Sequence, residues 1–176
     1  MPLPADVVIR DARPDELDAV ADLTLAAYAE YLPDDSATPE RKASFDEYRL
    51  DMRDVRERVA AGAIVIVAER EGTMLGSVTY YPPGSDKGAE GWPSDFAAIR
   101  LLGVLPEARG LGIGRALTDE SLRRARAAGA STFGLHTTDL MAIARGMYER
   151  LGFVREPSKD FRPDPDLLVA AYRLAL

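Results

Sequence analysis

The stretch that decides the fold runs from residue 102 to residue 115 and reads Leu102-Gly103-Val104-Leu105-Pro106-Glu107-Ala108-Arg109-Gly110-Leu111-Gly112-Ile113-Gly114-Arg115. Leucine and β-branched residues before it predict a strand that ends at Val104, and the spacing of Leu117, Leu122 and Ala125 after it predicts a helix. The first backbone N–H groups of a helix have no partner within the helix and point outward together. Glycines allow an anion to approach such a backbone without a Cβ in the way. The stretch therefore predicts a loop that binds a phosphate or diphosphate.

Other classes of glycine-rich loop were compared with this one. A purely structural turn also fits the glycines when they are taken alone. A Walker loop needs Gly-Lys-Ser/Thr at its end, whereas Gly114 is followed by Arg115-Ala116. A Rossmann fingerprint needs an opening βαβ unit with an acid about 20 residues later, whereas this loop lies past the middle of the chain. The nucleoside-triphosphatase and dinucleotide-binding classes therefore fit poorly.

The remaining chain predicts a mixed α/β protein. Hydrophobic patterns predict strands over residues 7–10, 64–70, 74–81, 96–104, 132–138, 153–156 and 167–174. Helical spacing and glycine stops predict helices over about residues 14–28, about 45–61, 113–128 and about 139–151. The segments 82–95 and 157–165 are rich in proline and charge or glycine, which is typical of surface loops.

Length and composition exclude several function classes. With 176 residues, 47% hydrophobic and 29% charged, the chain fits one globular domain over residues 1–176. A net charge of −7 disfavours nucleic acid and anionic membranes and favours cationic partners. No apolar run or leader-like start is present, so we expect a cytoplasmic protein. The absence of cysteine and the single histidine, His136, make a metal site improbable.

Two motifs together resemble the GNAT superfamily of N-acetyltransferases. Arg109, Gly112 and Gly114 match the family's coenzyme A motif Arg/Gln-x-x-Gly-x-Gly/Ala. About 35 residues later, the segment 147–153 resembles the family's helix that ends in Tyr-Glu-Arg/Lys-x-Gly-Phe. The resemblance implies an α/β fold with a mixed, mainly antiparallel central sheet of about seven strands and about four helices. It also implies that the fourth and fifth strands splay apart around acetyl-CoA.

The resemblance also assigns residues to roles. It implies that Tyr148 is the general acid that protonates the leaving thiolate, although a half-buried structural tyrosine fits the same position. An unpaired amide at a bulge of the fourth strand, at Val104 or its neighbour, would bind the developing oxyanion. Met141 stands where many members have an asparagine that binds pantetheine. The implied cofactor-binding residues are Leu102, Gly103, Val104, Arg109, Gly110, Leu111, Gly112, Ile113, Gly114, Arg115, Met141 and Ala144.

The resemblance leaves the acceptor and the base open. It implies transfer of an acetyl group to a primary amine of a small molecule or peptide, by direct attack and without a metal. The alternative is a non-catalytic module that binds acyl-CoA, and a homodimer fits the family in either case. Arg100 stands mid-strand where an acid would help, so no general base is assigned. Four aromatic residues could shape an acceptor pocket, namely Tyr28, Tyr31, Trp92 and Phe161. Four acids on predicted loops fit ordinary solvated charges, namely Glu30, Asp34, Asp35 and Asp95. His136 fits a structural role.

Overall fold

A computed structural model describes residues 3–33, 36–86 and 91–176 of the chain. Its strands are β1 (Val8–Asp11), β2 (Ile64–Arg70), β3 (Thr73–Tyr81), β4 (Phe96–Val104), β5 (Thr132–Thr138), β6 (Val154–Arg155), β7 (Phe161–Asp164) and β8 (Leu167–Ala175). Its α-helices are α1 (Leu17–Tyr28), α2 (Pro39–Arg53), α3 (Val55–Ala60), α4 (Ile113–Ala127) and α5 (Ala142–Arg150). No helix among the described residues combines the length and the apolar character that crossing a membrane requires.

The strands form one sheet in the order β1-β2-β3-β4-β5-β8-β6, and β7 also pairs with β8. Each pair of neighbours is antiparallel except β4 and β5, which run parallel. The register of β4 with β5 covers only Phe96 to Ala98. Beyond Ala98 the two strands separate, which opens the middle of the sheet.

Side chains alternate along the central strands and so build a core on each face of the sheet. On one face, Val65 and Val67 of β2 pack with α1 and α3. On the other face, Ile66 of β2 packs with Ile113 and Leu117 of α4. The helix α4 thus buries its apolar side against the sheet, and its first turn lies at the end of β4.

Glycines terminate the elements where the sequence predicts that they should. Glu71 and Gly72 both have positive φ, 49° and 79°, which is the conformation of a two-residue hairpin turn between β2 and β3. Gly129 and Gly152 adopt left-handed conformations with φ of 72° and 91° just after α4 and α5. Both predicted helix ends are confirmed, and the predicted strands 64–70 and 74–81 are joined by this turn.

The predicted element count differs from the structure in two places. Residues 161–164 form a strand, β7, where a loop was predicted, because Pro163 can occupy an edge strand that pairs on one side only. The predicted second helix is two helices, α2 and α3, because Asp54 leaves the helical conformation with ψ of 40°. The described sheet therefore has eight strands and five α-helices flank it.

Candidate active site

The predicted diphosphate loop lies between β4 and α4 and exposes main-chain donors. Gly110 and Gly112 have φ of 76° and 78°, so both positions favour glycine. Gly112 is the residue that precedes the first turn of α4. Within the described part of the chain, the amides of Gly112, Ile113, Gly114 and Arg115 donate to no carbonyl or side chain. Four donors at a helix N-terminus fit an anion.

The two arginines of the loop engage protein groups instead of extending over the amides. The Arg109 guanidinium donates to the carbonyl oxygen of Ala27 at 3.1 Å and to that of Val104 at 3.3 Å. It also forms an ion pair with Glu30, so this predicted loop acid has a partner. Arg115 pairs with Asp119 one turn along α4. The anion-binding character of the loop therefore comes from its main chain.

The gap between β4 and β5 brings together four of the predicted site residues. A small cavity of about 30 Å³ in the gap is lined by Leu102, Met141, Ala144 and Tyr148, among others. Gly103 and Val104 lie instead at the end of β4, paired in register with β3. A Cβ on Gly103 would lie 2.9 Å from the Cβ of Ala27, so this glycine permits the close approach of α1 to β4.

Tyr148 is held in the gap by aromatic packing. Its ring meets the Phe153 ring edge to face, with 5.7 Å between the centroids, and only 4% of its surface is exposed. Burial raises the pKa of the Tyr148 hydroxyl above its usual value, because the charged phenolate would be desolvated. The hydroxyl therefore stays protonated at neutral pH and can donate a proton.

A bulge interrupts β4 beside the same gap. Between the pairs Ser77 with Gly103 and Thr79 with Arg100, three residue steps on β4 face two on β3. Leu101, in the bulge, has a φ of 54°. The bulge was predicted at Val104 or its neighbour, but Val104 pairs regularly with Gly76. The irregular backbone lies at Leu101 and Leu102, nearer the gap.

A larger cavity of about 580 Å³ adjoins the gap. Arg100, Leu101 and Met141 line both cavities, so the two lie side by side. Three of the four aromatic residues predicted for an acceptor pocket line it, namely Tyr28, Tyr31 and Phe161. Trp92 does not line the cavity. Its ring packs against Gly134 instead, so closely that a Cβ on Gly134 would lie 2.6 Å from the nearest ring atom.

The sequence analysis missed the contribution of α2 to this cavity. Ser44, Phe45, Tyr48, Asp51 and Met52 of α2 all line it. Their spacing of three and four residues was visible in the sequence and indicated a helix face that becomes buried. That spacing fits packing against a core as well as it fits a pocket wall, so it gave no signal for a site.

Asp51, Arg100 and Arg58 form one cluster of charges at the cavity. Asp51 pairs with Arg100 of β4 at 2.8 Å and with the buried Arg58 of α3 at 3.6 Å. Arg58 also donates to the carbonyl oxygen of Met52 at 3.2 Å. Burial lowers the pKa of the Arg58 guanidinium, although Asp51 opposes this change. The carboxylate of Asp51 is thus shared by two guanidinium groups.

Tyrosines join the cavity to β4. The Tyr28 hydroxyl donates to the carbonyl oxygen of Leu102 at 3.3 Å. The Tyr28 ring meets those of Tyr31 and Tyr48 edge to face, with centroids 6.1 Å and 6.2 Å apart. Burial raises the pKa of the Tyr28 hydroxyl, and the neighbouring Tyr48 and Tyr148 add to the effect. The end of α1 is therefore fixed against the separated part of β4.

His136 lies at both cavities, whereas Asp95 takes part in a hydrogen bond with Ser131. His136 lies on β5 with its Nε2 2.9 Å from the carbonyl oxygen of Lys159, and it packs against Phe161. It also lines both cavities. Asp95 accepts a hydrogen bond from Ser131 at 2.5 Å. Asp34 and Asp35 lie outside the described residues.

Comparison with protein families decides the class of this domain. The sequence model described as the Acetyltransferase (GNAT) family matches residues 19–153, which include both motifs. The chain belongs to the GNAT acetyltransferase family. The family confirms the resemblance drawn from the two motifs, the predicted mixed fold and the predicted enzyme class.

Several curated relatives of this GNAT chain are mycothiol acetyltransferases. That of Cellulomonas flavigena is 43% identical over 93 residues, which are 51% of this chain and 26% of the relative. That of Parafrankia sp. is 29% identical over an alignment of 168 positions, which covers 84% of this chain and 52% of the relative. The chain thus spans about half the length, or less, of these two relatives.

Solved GNAT structures share the fold. A GNAT acetyltransferase from Staphylococcus aureus superposes with a TM-score of 0.71 at 16% identity, covering 97% of this chain and 99% of that one. A GNAT acetyltransferase from Brucella melitensis, solved in complex with acetyl-CoA, has a TM-score of 0.57 at 25% identity, covering 97% and 88%.

Proposed function

We propose that this GNAT chain transfers an acetyl group from acetyl-CoA to a primary amine by direct attack. One observation carries the proposal: the gap between β4 and β5 holds Tyr148 and shares lining residues with the 580 Å³ cavity. The separated strands would receive the thioester carrier beside Tyr148, and the larger cavity has room for an acceptor. The complex of the Brucella melitensis relative with acetyl-CoA supports the identity of the donor.

The residues of the loop and the gap fit the donor. The outward amides of residues 112–115 would bind the diphosphate, and the absence of a Cβ at Gly110 and Gly112 leaves room for it. Leu102 on β4 and Met141 and Ala144 on the opposite wall would hold the pantetheine arm. Met141 offers packing there, because a thioether donates no hydrogen bond. Acetyl-CoA supplies an acyl group activated as a thioester.

Tyr148 is the proposed acid. Its hydroxyl is kept protonated by burial and lines the gap in which the sulfur would leave. Donation of that proton neutralises the sulfur as the carbon–sulfur bond breaks, and because a thiol titrates near 8.5, below the phenol, the Tyr148 phenolate then regains a proton from solvent. The irregular backbone at Leu101 and Leu102 is the proposed source of an amide donor for the carbonyl oxygen of the acetyl group.

No carboxylate of the described cavity is suited to act as base. Asp51 is held by Arg58 and Arg100, and Glu47 lines the large cavity but not the gap that holds Tyr148. The amine would then arrive neutral or release its proton to water. This step limits which amines the enzyme can use near neutral pH.

Replacement of Tyr148 tests the proposed acid. Tyr148→Phe should lower kcat by about a hundredfold, as loss of a general acid does, while the Kd for acetyl-CoA stays within about twofold. Thiol release measures kcat and calorimetry measures Kd. Tyr172→Phe removes a hydroxyl that donates to Glu149 away from the gap, so it serves as the control. Equal kcat for wild type and Tyr148→Phe would remove Tyr148 from the mechanism.

A non-catalytic acyl-CoA-binding module is the second candidate. Two features favour it: Asp51 is engaged in ion pairs and so is not a free base, and Met141 stands where many family members have an asparagine that binds pantetheine. Calorimetry with acetyl-CoA and thiol release over a broad amine panel separate the two. The panel should include a mycothiol-related acceptor, because the curated relatives are named for that activity. Binding without turnover on any amine would support the module.

A further inference from the structure

The walls of the large cavity are mainly apolar. Opposite α2, they include Leu101 of β4, Leu140 just before α5, Phe161 of β7, and Leu167 and Val169 of β8. A cavity of about 580 Å³ lies within the range that encloses ligands of roughly drug size. A small hydrophilic amine would leave most of this apolar surface in contact with water. The shape and the lining therefore fit an acceptor that carries a bulky apolar group.

The charged groups of the cavity are placed unevenly. Arg100 lines both the gap with Tyr148 and the large cavity. Asp51, its ion-pair partner, and Glu47 line only the large cavity, and His136 lines both. Among the described residues, the permanently charged group that lines both cavities is therefore Arg100, and its partner Asp51 is shared with Arg58. A protonated amine that reached the gap would meet a like charge there, whereas a neutral amine would not.

Amines differ widely in how easily they become neutral. An α-amino group titrates near 8, whereas a lysine-type alkylamine titrates near 10.4, so their neutral fractions near pH 7 differ by a few hundredfold. Because Asp51 is shared by two guanidinium groups, this carboxylate offers little help in removing the proton. An amine of low basicity is thus better matched to this site.

We infer that the acceptor is a weakly basic amine, of the α-amino type, attached to a bulky apolar group. This inference rests on the proposed acetyl transfer and names its substrate class. The amine lies at the gap near Arg100 and Tyr148, and the apolar group fills the cavity between α2 and β8. The same chemistry is offered by the amide of an apolar amino acid and by a peptide N-terminus.

A panel of amines tests both parts of the inference on the full chain with acetyl-CoA. Phenylalanine amide should exceed alanine amide in kcat/KM by about tenfold or more, because its phenyl group leaves water. It should also exceed 2-phenylethylamine, which has the same ring and a more basic amine, by at least about tenfold near pH 7. A dipeptide that begins with phenylalanine, compared with phenylalanine amide, distinguishes the source of the α-amino group.

A tryptophan placed in the cavity gives the matched variant. Ser44→Trp on α2 should reduce the preference for phenylalanine amide over alanine amide at least about fivefold, because the indole occupies the apolar space. Ala43→Trp adds the same side chain on the exposed side of α2 and should keep the preference. If Ser44→Trp fails to fold, Val169→Trp fills the cavity from β8. Calorimetry with acetyl-CoA verifies that each variant is folded.

The outcomes separate this inference from the proposed function. Faster turnover of alanine amide, equal turnover of 2-phenylethylamine near pH 7, or an unchanged preference in a folded cavity variant would overturn the substrate class while acetyl transfer stands. Acetyl-CoA binding with no thiol release on any amine would overturn the transfer itself.

Discussion

The diphosphate loop and the acceptor cavity are built in opposite ways. The loop is one contiguous segment, residues 109–115, and it offers main-chain amides whose direction is set by two glycines and the start of α4. The cavity is assembled from side chains of α1, α2, β4, β5, β7 and β8, which lie far apart in the sequence. A site made of backbone depends on conformation, and a site made of side chains depends on packing. The two should therefore respond to different substitutions.

The largest expected effect is on the loop. Gly112→Val should weaken acetyl-CoA binding by at least about a hundredfold, because it strains a φ of 78° and places a branched Cβ at the proposed anion site. Calorimetry measures the affinity. Gly129→Val imposes similar strain at the other end of α4, where a Cβ meets nothing within 4 Å. Similar losses of affinity in both variants would show that strain alone explains the effect.

On the cavity side, the largest expected effect is on stability. Arg58→Met removes a buried partner of Asp51 and of the Met52 carbonyl, so we expect a loss of about 2 kcal/mol in the free energy of unfolding. The loss stays at this level because Asp51 keeps Arg100. Arg56→Met, which breaks an exposed pair with Asp18, should cost less than about 1 kcal/mol. Urea unfolding measures both, and equal costs would contradict a buried role for Arg58.

The same contrast explains how much of the molecule could be predicted from sequence. The strands 64–70 and 96–104 and the start of α4 follow from local patterns, and the structure has them at the predicted positions. The splay of β4 from β5 came from the family resemblance and is seen in the register that stops at Ala98. Glycines at the ends of elements and the repeat of hydrophobic residues along an element are local features, so a single sequence is enough to locate them.

What could not be predicted depends on distant partners. The bulge at Leu101 requires the register of β3, and no local signal marks it. The strand at residues 161–164 exists because β8 is available to pair with it, and its proline pointed to a loop. The pairing of Arg100 with Asp51 joins residues 49 positions apart. Contacts of this kind become visible only once the chain is folded.

Arg109 physically links the two regions, so its removal should affect both. Its guanidinium joins the diphosphate loop to the carbonyl of Ala27 and to Glu30, next to Tyr28 and Tyr31 of the cavity. Arg109→Met should raise the KM for the acceptor and the Kd for acetyl-CoA, each by up to about tenfold. Arg115→Met removes a loop arginine that pairs only along α4 among the described residues, and it should raise neither by more than about twofold. A change confined to one constant in Arg109→Met would show that the two regions are independent.

The smallest effect is expected for a substitution of Glu16, which lies outside both the diphosphate loop and the acceptor cavity. Glu16 precedes α1, and hydrogen bonds from Arg10 lower the pKa of its carboxyl to about 2. An unfolded glutamate titrates near 4.3, so this interaction stabilises the fold above about pH 4.3 and is lost as the pH falls towards 2. Glu16→Gln should therefore cost about 1 kcal/mol near pH 7, and the difference from wild type should shrink in acid. Urea unfolding across that pH range measures the difference, with the exposed Asp15→Asn as control.

Because Glu16 touches neither the loop nor the cavity, the Kd for acetyl-CoA and the KM for the acceptor should both stay within about twofold of wild type. A selective change in either constant would show that the beginning of α1 belongs to one region rather than to the frame that both regions share.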